Sequence, residues 1–430
     1  MEIGQQIIKI NLETHGELTN DQLAQNLKDR GYGTVDNEGI LKAFARDTIR
    51  RWCISLGTKK LRQYIHPTLT LKQKVNRMDW VLNEVKNPEN LDSLCFIDNF
   101  NTVHLDEAWY YMRVDGRAVR MLKNADGTWS TFETVRSRSK RYINKMMFIA
   151  AVCRPHPNYA SESGSNEPHS GKCYFGNFTE RTYYIRGPRA GQERILNVSV
   201  DSEAYCMKMK NDIIPGIMKS MWWHHRDSGK PEAGQPIFIQ QDGASPHTSA
   251  FTLRHQRYLM SNRFFHQHGF RFVIVTQPAN SPDLNLCDLT IWHSNKSSLR
   301  GKRWDNKLDM ESDIFQSWED YPREKIEAGW RILYAVYRGI LKANGDNTFS
   351  KHDGDRKRRR AGQPPDMNLD RAVFEAAVAE RDRILNELGL EFDDDRNLQA
   401  INSEGDNENV ETDAGCDDSE DEQYDSRDEE

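Results

Sequence analysis

The chain has 430 residues, 37% hydrophobic and 29% charged, which is enough apolar material for two or three domains alongside a solvated remainder. Its net charge of -6 conceals an asymmetry: residues 391–430 hold 18 Asp/Glu against two Arg, so residues 1–390 are basic at +10, a balance that fits a phosphate polymer as partner or ordinary solvated charge. No apolar run approaches the ~18 residues of a membrane span, the opening MEIGQQIIKINLETHGE is too polar for a signal peptide, and the seven scattered cysteines form no CxxC pair or zinc spacing, so the sequence reads as soluble and intracellular in a reducing compartment.

Residues 1–66 read as helical. Thr19 and Gln22 form a T-x-x-Q capping box ahead of LTNDQLAQNLKDRG, where Leu23 and Leu27 share a face and Gly31 is a stop. In RDTIRRWCISLG, Ile49, Trp52, Cys53 and Leu56 recur at helical spacing, and Arg46, Arg50 and Arg51 fall on the opposite face. His66-Pro67 opens a linker over 67–92, with a second capping box at Thr70 and Gln73 and a short amphipathic helix through Val75, Met78 and Leu82.

The pattern then changes. CFIDNFNTVHLDEAWYYM, NKMMFIAAVC, PIFIQQD and FRFVIVTQP have strand length and composition, and SEAYCMKMKNDIIPGIMKSMW reads as helix, so an α/β or α+β domain is expected over 93–350. Residues 155–171 read as a polar surface insertion. Beyond the domain come a basic segment at 351–366, an amphipathic helix at 367–390 with Leu369, Val373, Phe374, Ala377, Ile384 and Leu388 as its stripe, and an acidic tail at 391–430 expected to be disordered.

Three aspartates end apolar elements: Asp106 closes NTVHLD, Asp242 closes PIFIQQD, and Asp288 follows FRFVIVTQP and a Ser-Pro break. Ser281 could cap a helix there and Pro282 occupy its first turn. Charges at such places are costly unless paired or coordinated. Three converging carboxylates would suit two Mg²⁺ or Mn²⁺ ions acting on a phosphodiester. Spacing alone does not choose them, however, since Asp98, Asp212 and Asp283 compete and a lone Asp after a strand is more often a turn former.

NTVHLDEAWYYM, IFIQQDGASPH and QPANSPDLNLCDL, in this order, resemble the three catalytic motifs of mariner-like transposases, closest to the plant-type group, and the likeness runs from LTNDQLAQNLK to about residue 353. The resemblance implies an α/β, RNase H-like catalytic core, a mixed sheet flanked by helices, behind an N-terminal helix-turn-helix region. It makes Asp106, Asp242 and Asp288 the catalytic metal ligands, selects Asp288 over Asp283, and leaves Asp283 as a turn or capping residue. Glu107 is expected to face away from the metals, because adjacent strand residues face opposite sides. His247 matches a recurrent family histidine, supporting the site, packing in the core or touching substrate. Two features depart from the family: the 45 residues between Asp242 and Asp288 exceed its usual spacing, and Gly243 stands where asparagine is common.

The implied activity is metal-dependent cleavage of DNA at terminal inverted repeats, followed by strand transfer into target DNA, by a nuclear protein acting as a homodimer on double-stranded DNA. The alternative is a decayed or domesticated descendant that only binds DNA. Only one helix-turn-helix unit fits before the linker, so the family's first unit is expected to be missing or truncated. Arg46, Arg50 and Arg51 are candidate DNA contacts. So are Arg136, Arg138, Lys140, Arg141 and Lys145 of RSRSKRYINK, with a solvated loop as the competing reading. Arg356, Lys357, Arg358, Arg359 and Arg360 read as a nuclear localisation signal or nucleic-acid patch.

Overall fold

In the computed structural model the chain forms two compact units, Met1–His66 and Pro67–Glu430. The structure describes residues 2–13, 20–56, 68–112, 144–299, 302, 304–349, 364–392 and 398–400. Arg136, Arg138, Lys140, Arg141, Arg356, Lys357, Arg358, Arg359 and Arg360 lie outside these residues, as does Thr19 of the first expected capping box.

The first unit contains α1 (Glu2–Glu13), α2 (Asn20–Asp29) and α3 (Arg46–Ser55), which bury Ile7, Ile10, Leu23, Ala24, Leu27 and Ile49 together. It is not helical throughout. Between α2 and α3 the chain forms a short antiparallel hairpin, β1 (Thr34–Val35) and β2 (Leu41–Lys42). Asp36 explains the departure, because its Oδ1 accepts from the backbone N–H groups of Glu38 and Ile40 and closes a turn that competes with helix.

The second unit opens with α4 (Leu71–Asn83), where the expected capping box of Thr70 and Gln73 is formed. This stretch is no free linker: Val75, Arg77, Met78, Val81 and Leu82 are buried in the second unit. A small hairpin, β3 (Val85–Lys86) with β4 (Cys95–Phe96), follows. Asn99, at φ 56°, interrupts the long extended run expected here, so β5 (Thr102–Tyr111) begins as a separate strand.

Next come β6 (Lys145–Cys153), β7 (Lys172–Asn177) and a second hairpin of β8 (Thr179–Tyr183) and β9 (Glu193–Asn197). The expected helix is α5 (Ser202–Lys208) and α6 (Ile214–Ser220), joined by a π turn at Met209–Ile213. Then follow β10 (Pro236–Gln241), α7 (Ser245–Thr248), α8 (Ala250–Leu259), α9 (Asn262–His268), β11 (Arg271–Thr276), α10 (Trp292–Ser298), α11 (Lys307–Glu319) and α12 (Arg323–Lys342).

The main sheet has the order β11-β10-β5-β6-β7; β10 runs parallel to β5 and β11, and β6 antiparallel to β5 and β7. Counted along the chain, the five strands lie as 3-2-1-4-5 with the second reversed, the RNase H-like arrangement. Helices cover both faces, and the strand period of two divides the side chains between them. Ala108, Tyr110, Phe148 and Ala150 pack with α4, α10, α11 and α12, whereas Val103, Leu105, Ile149, Ile237, Ile239 and Phe272 pack with α5, α6, α8 and α9.

The polar segment 155–171 is tied into this fold rather than laid on its surface. His156 and His169 are buried, the backbone N–H of His156 donates to His169 Nδ1 (2.9 Å), and His169 Nε2 lies 3.0 Å from Ser220 Oγ. The final helix, α13 (Arg371–Leu388), is capped by Asp370 and ends at Gly389 in the left-handed region (φ 62°). Its Ile384 packs on Val75 and Met78 of α4. The acidic tail does not begin as disorder: β12 (Leu390–Phe392) pairs with β13 (Leu398–Ala400), since LEF and LQA supply extended, partly apolar segments before the charge run. Residues 401–430 lie outside the described ones. Among the described residues, no helix is long and apolar enough to cross a membrane.

Candidate active site

Asp106 does not end its strand; it sits in the middle of β5, because β5 stays paired with β6 through Tyr111 and Lys145. Its carboxyl is buried on the α10 side of the sheet, where Oδ2 accepts a hydrogen bond from Trp292 Nε1 (2.7 Å). Asp242 is the first residue after β10. Gln240 is level with His104 in the parallel pairing of β10 and β5, so continuing that register by two residues brings Asp242 level with Asp106. Asp288 lies exposed on a π turn, Cys287–Ile291, that runs into α10.

Hydrogen bonds from three directions pin the approach to that turn. Leu286 N–H donates to His104 Nδ1 (3.2 Å), Asn285 Nδ2 to the Leu105 carbonyl (3.0 Å), and Gln240 Nε2 to the Leu284 carbonyl (2.9 Å). Burial pushes His104 down to about 3, which keeps its ring neutral and Nδ1 able to accept. Ser281 does not cap a helix as expected; its hydroxyl donates to the Ala279 carbonyl, and Pro282–Leu284 forms a 3₁₀ turn. Asp283 lies in that turn as expected, but its side chain does not close it. It is buried in a two-pronged ion pair with the Arg77 guanidinium (2.7 and 2.9 Å), and Arg77 Nε donates to the Gly345 carbonyl (2.9 Å). This pair ties α4 to the chain just before Asp288.

The electrostatics set Asp106 apart. Burial first, then the charges of Asp288 and Glu107, push its carboxyl well above the usual range, against the opposing bond from Trp292. Glu107 points to the other face, as strand alternation requires, and there meets His247. The imidazole stands between Asp242 (Nδ1 to Oδ1, 2.7 Å) and Glu107 (Nε2 to Oε1, 3.3 Å). Burial opposes its charge, but these two partners outweigh burial and push His247 up to about 10. Although burial works to raise Asp242, its carboxyl is held below its ordinary value by His247 and by the Ala244 N–H. Lys296, two turns beyond Asp288 on α10, is lowered by burial while Asp288 and Asp106 favour its charge.

Among the described residues, no three His, Cys, Asp or Glu side chains stand close enough together to hold a metal ion in this arrangement. The residue types are nevertheless hard oxygen donors of the kind Mg²⁺ or Mn²⁺ take: Asp106, raised by burial and then by the neighbouring Asp288 carboxylate, and Asp242 just past the end of the adjacent strand.

No family model matches the chain, and no curated protein matches it. Solved structures do match, at low identity. A Mos1 mariner paired-end complex with Mn is 15% identical, with 81% of this chain and 80% of that chain covered and a TM-score of 0.48. A pre-cleavage Mos1 transpososome is 14% identical, with 80% of each chain covered and a TM-score of 0.49. The catalytic domain of Mos1 mariner transposase is 13% identical, covering 66% of this chain and 100% of that one at a TM-score of 0.40.

Of the expected DNA contacts, Arg46, Arg50 and Arg51 are exposed on α3, whose opposite face buries Ile49. Lys145 opens β6 with its ammonium 4.0 Å from the centre of the Trp109 ring. Arg77, His104, Trp292 and Lys296 escaped the sequence reading. Trp292 and Lys296 stand four and eight residues beyond Asp288, a helical spacing that could have flagged them. Arg77 had no such signal, because its partner is far away in the chain.

Proposed function

We propose that the chain is a mariner-like transposase, whose second unit cuts DNA at transposon terminal inverted repeats and joins the freed 3′ end to target DNA. The observation that carries this reading is the charge coupling of Asp288 to the buried Asp106, with Asp242 just past the end of the strand that runs parallel to the one holding Asp106.

Asp106, Asp242 and Asp288 would hold two Mg²⁺ or Mn²⁺ ions, which supply activation of the attacking oxygen and neutralisation of the leaving one. The protein's own side chains prepare for this. Trp292 holds one oxygen of Asp106 and so orients the other. His247 holds Asp242 by a bond that must loosen for the carboxylate to turn toward Asp106. Lys296, beside Asp288 and Asp106, is placed to meet a phosphate oxygen. Arg46, Arg50 and Arg51 on α3 would contact the transposon end, and Lys145 with the basic residues at 136–141 would add phosphate contacts. Two copies acting on paired ends, and entry to the nucleus through residues 356–360, complete the proposal.

The test is cleavage of duplex DNA bearing the inverted repeats that flank the gene, with Mg²⁺ or Mn²⁺. Cleavage is expected, and Asp106→Asn, Asp242→Asn or Asp288→Asn should each lower it at least ~10²-fold. No cleavage by the folded wild-type protein, or equal cleavage by the Asn variants, would refute the assignment and leave a DNA-binding descendant as the better reading.

A further inference from the structure

We propose that the hairpin β8–β9, residues 179–197, is a separate DNA-binding element that grips the duplex backbone beside the catalytic carboxylates; this rests on the function proposed above. The hairpin is a two-stranded sheet of its own, apart from the five-stranded sheet. Its root is rigid. Ile195 is buried in the core, and Glu311 of α11, only 5% exposed, accepts from Arg181, Asn177 and Thr179. Asn197 Nδ2 donates to the Lys145 carbonyl (2.8 Å), and Lys307 Nζ donates to Asn197 Oδ1 (3.3 Å).

The outer half has a different character. Residues 182–192, TYYIRGPRAGQ, contain Arg186 and Arg189 and no acidic residue. Tyr183 is 61% exposed and Ile185 88% exposed. The tip is held in shape without packing: Gly187 adopts φ 83°, Ala190 N–H donates to the Gly187 carbonyl (3.0 Å), and Gly191 N–H to the Tyr184 carbonyl (2.8 Å). The Arg189 and Arg194 guanidiniums lie 4.6 and 5.2 Å from the centre of the Tyr184 ring, which keeps them extended rather than loosely solvated.

An exposed, pre-shaped β-ribbon whose tip arginines pair with no carboxylate among the described residues fits a duplex, whose grooves admit a two-stranded ribbon and whose phosphates pair with Arg. Position supports the choice. The root attaches at Lys145, level with Tyr111, five residues along β5 from Asp106. At ~3.4 Å per residue the root is about 17 Å from the carboxylate. That is roughly five base pairs of duplex at ~3.4 Å per step. DNA lying over the carboxylates and running along β5 toward Tyr111 would pass the hairpin.

The test measures binding of the full chain to duplex DNA in EDTA, so that no cleavage occurs, across a series of salt concentrations. Replacing both arginines (R186A/R189A) should weaken binding and reduce the slope of log K against log salt by about 2. Keeping the charge (R186K/R189K) should largely preserve that slope, which separates phosphate contact from damage to the hairpin. Unchanged affinity and slope in R186A/R189A would overturn the proposal, as would a chain that does not bind duplex at all. Because the readout needs no chemistry, a protein that shows the slope change but never cleaves DNA would refute the transposase reading while upholding the hairpin.

Discussion

Arg77 offers a direct test of how the third aspartate is held in place. The side chain is fully buried on α4 and Asp283 is only 4% exposed, so neither charge can be solvated if the other is removed. Arg77→Met removes two charge-assisted bonds to the carboxylate, at 2.7 and 2.9 Å, and one to the Gly345 carbonyl at 2.9 Å. Stranding one partner of a buried pair costs about 3–5 kcal/mol, and the unmade bond to the carbonyl adds about 1 kcal/mol. Against a total stability of ~5–15 kcal/mol this would leave the second unit marginal or unfolded. Replacing both residues, R77M/D283L, removes the stranded charge and should recover most of the loss. Urea unfolding followed through Trp223, Trp292 and Trp330, all buried in the second unit, reads this directly. The reasoning fails if Arg77→Met costs less than ~1 kcal/mol, or if the double variant is no more stable than the single one. A second consequence concerns the proposed activity: if the second unit cuts DNA, the folded double variant should cut it more slowly, because the 3₁₀ turn ahead of Asp288 has lost its tie to α4.

Two further predictions follow from the buried carboxyls. Without metal, Asp106→Asn should be more stable than wild type at neutral pH, since the buried carboxyl must either hold a charge against burial, Asp288 and Glu107 or take up a proton, and Asn avoids both while keeping an acceptor for Trp292. Wild type should gain about 2.7 kcal/mol at a hundredfold excess of Mn²⁺ over its dissociation constant, and the variant little. Equal metal-induced shifts in Tm would exclude Asp106 as a ligand. Burial, opposed only by the bond from Asn99, pushes Glu84 from 4.5 up to about 7. A carboxyl raised in the folded state stabilises the fold fully below its unfolded value, and that contribution is lost as pH rises from about 4.5 through about 7. Glu84→Gln should therefore flatten the fall in stability across this window, and a pH profile identical to wild type would show that Glu84 titrates normally.

Local rules were enough for several elements. The capping box at Thr70 and Gln73 was readable because both partners lie within one turn, and the strand runs at 145–153, 236–241 and 271–276 because their apolar content matches a sheet buried on both faces. The face of α3 that carries Arg46, Arg50 and Arg51 follows from helical period alone. The three aspartates were picked out by motif context rather than by spacing. What the sequence could not supply was everything that depends on partners distant in the chain. Asp106 lies mid-strand because β6 extends the pairing past it. Asp283 is a buried ion-pair member because α4, read as a linker, folds back to bring Arg77 against it. Asp242 is engaged by His247, which reaches across to Glu107 on the neighbouring strand. Hydrogen bonds, capping and periodicity act over a few residues and leave their mark in local composition. Burial and charge pairing are properties of the assembled layers, and only the packing of helices onto both faces of the sheet decides which charges must meet.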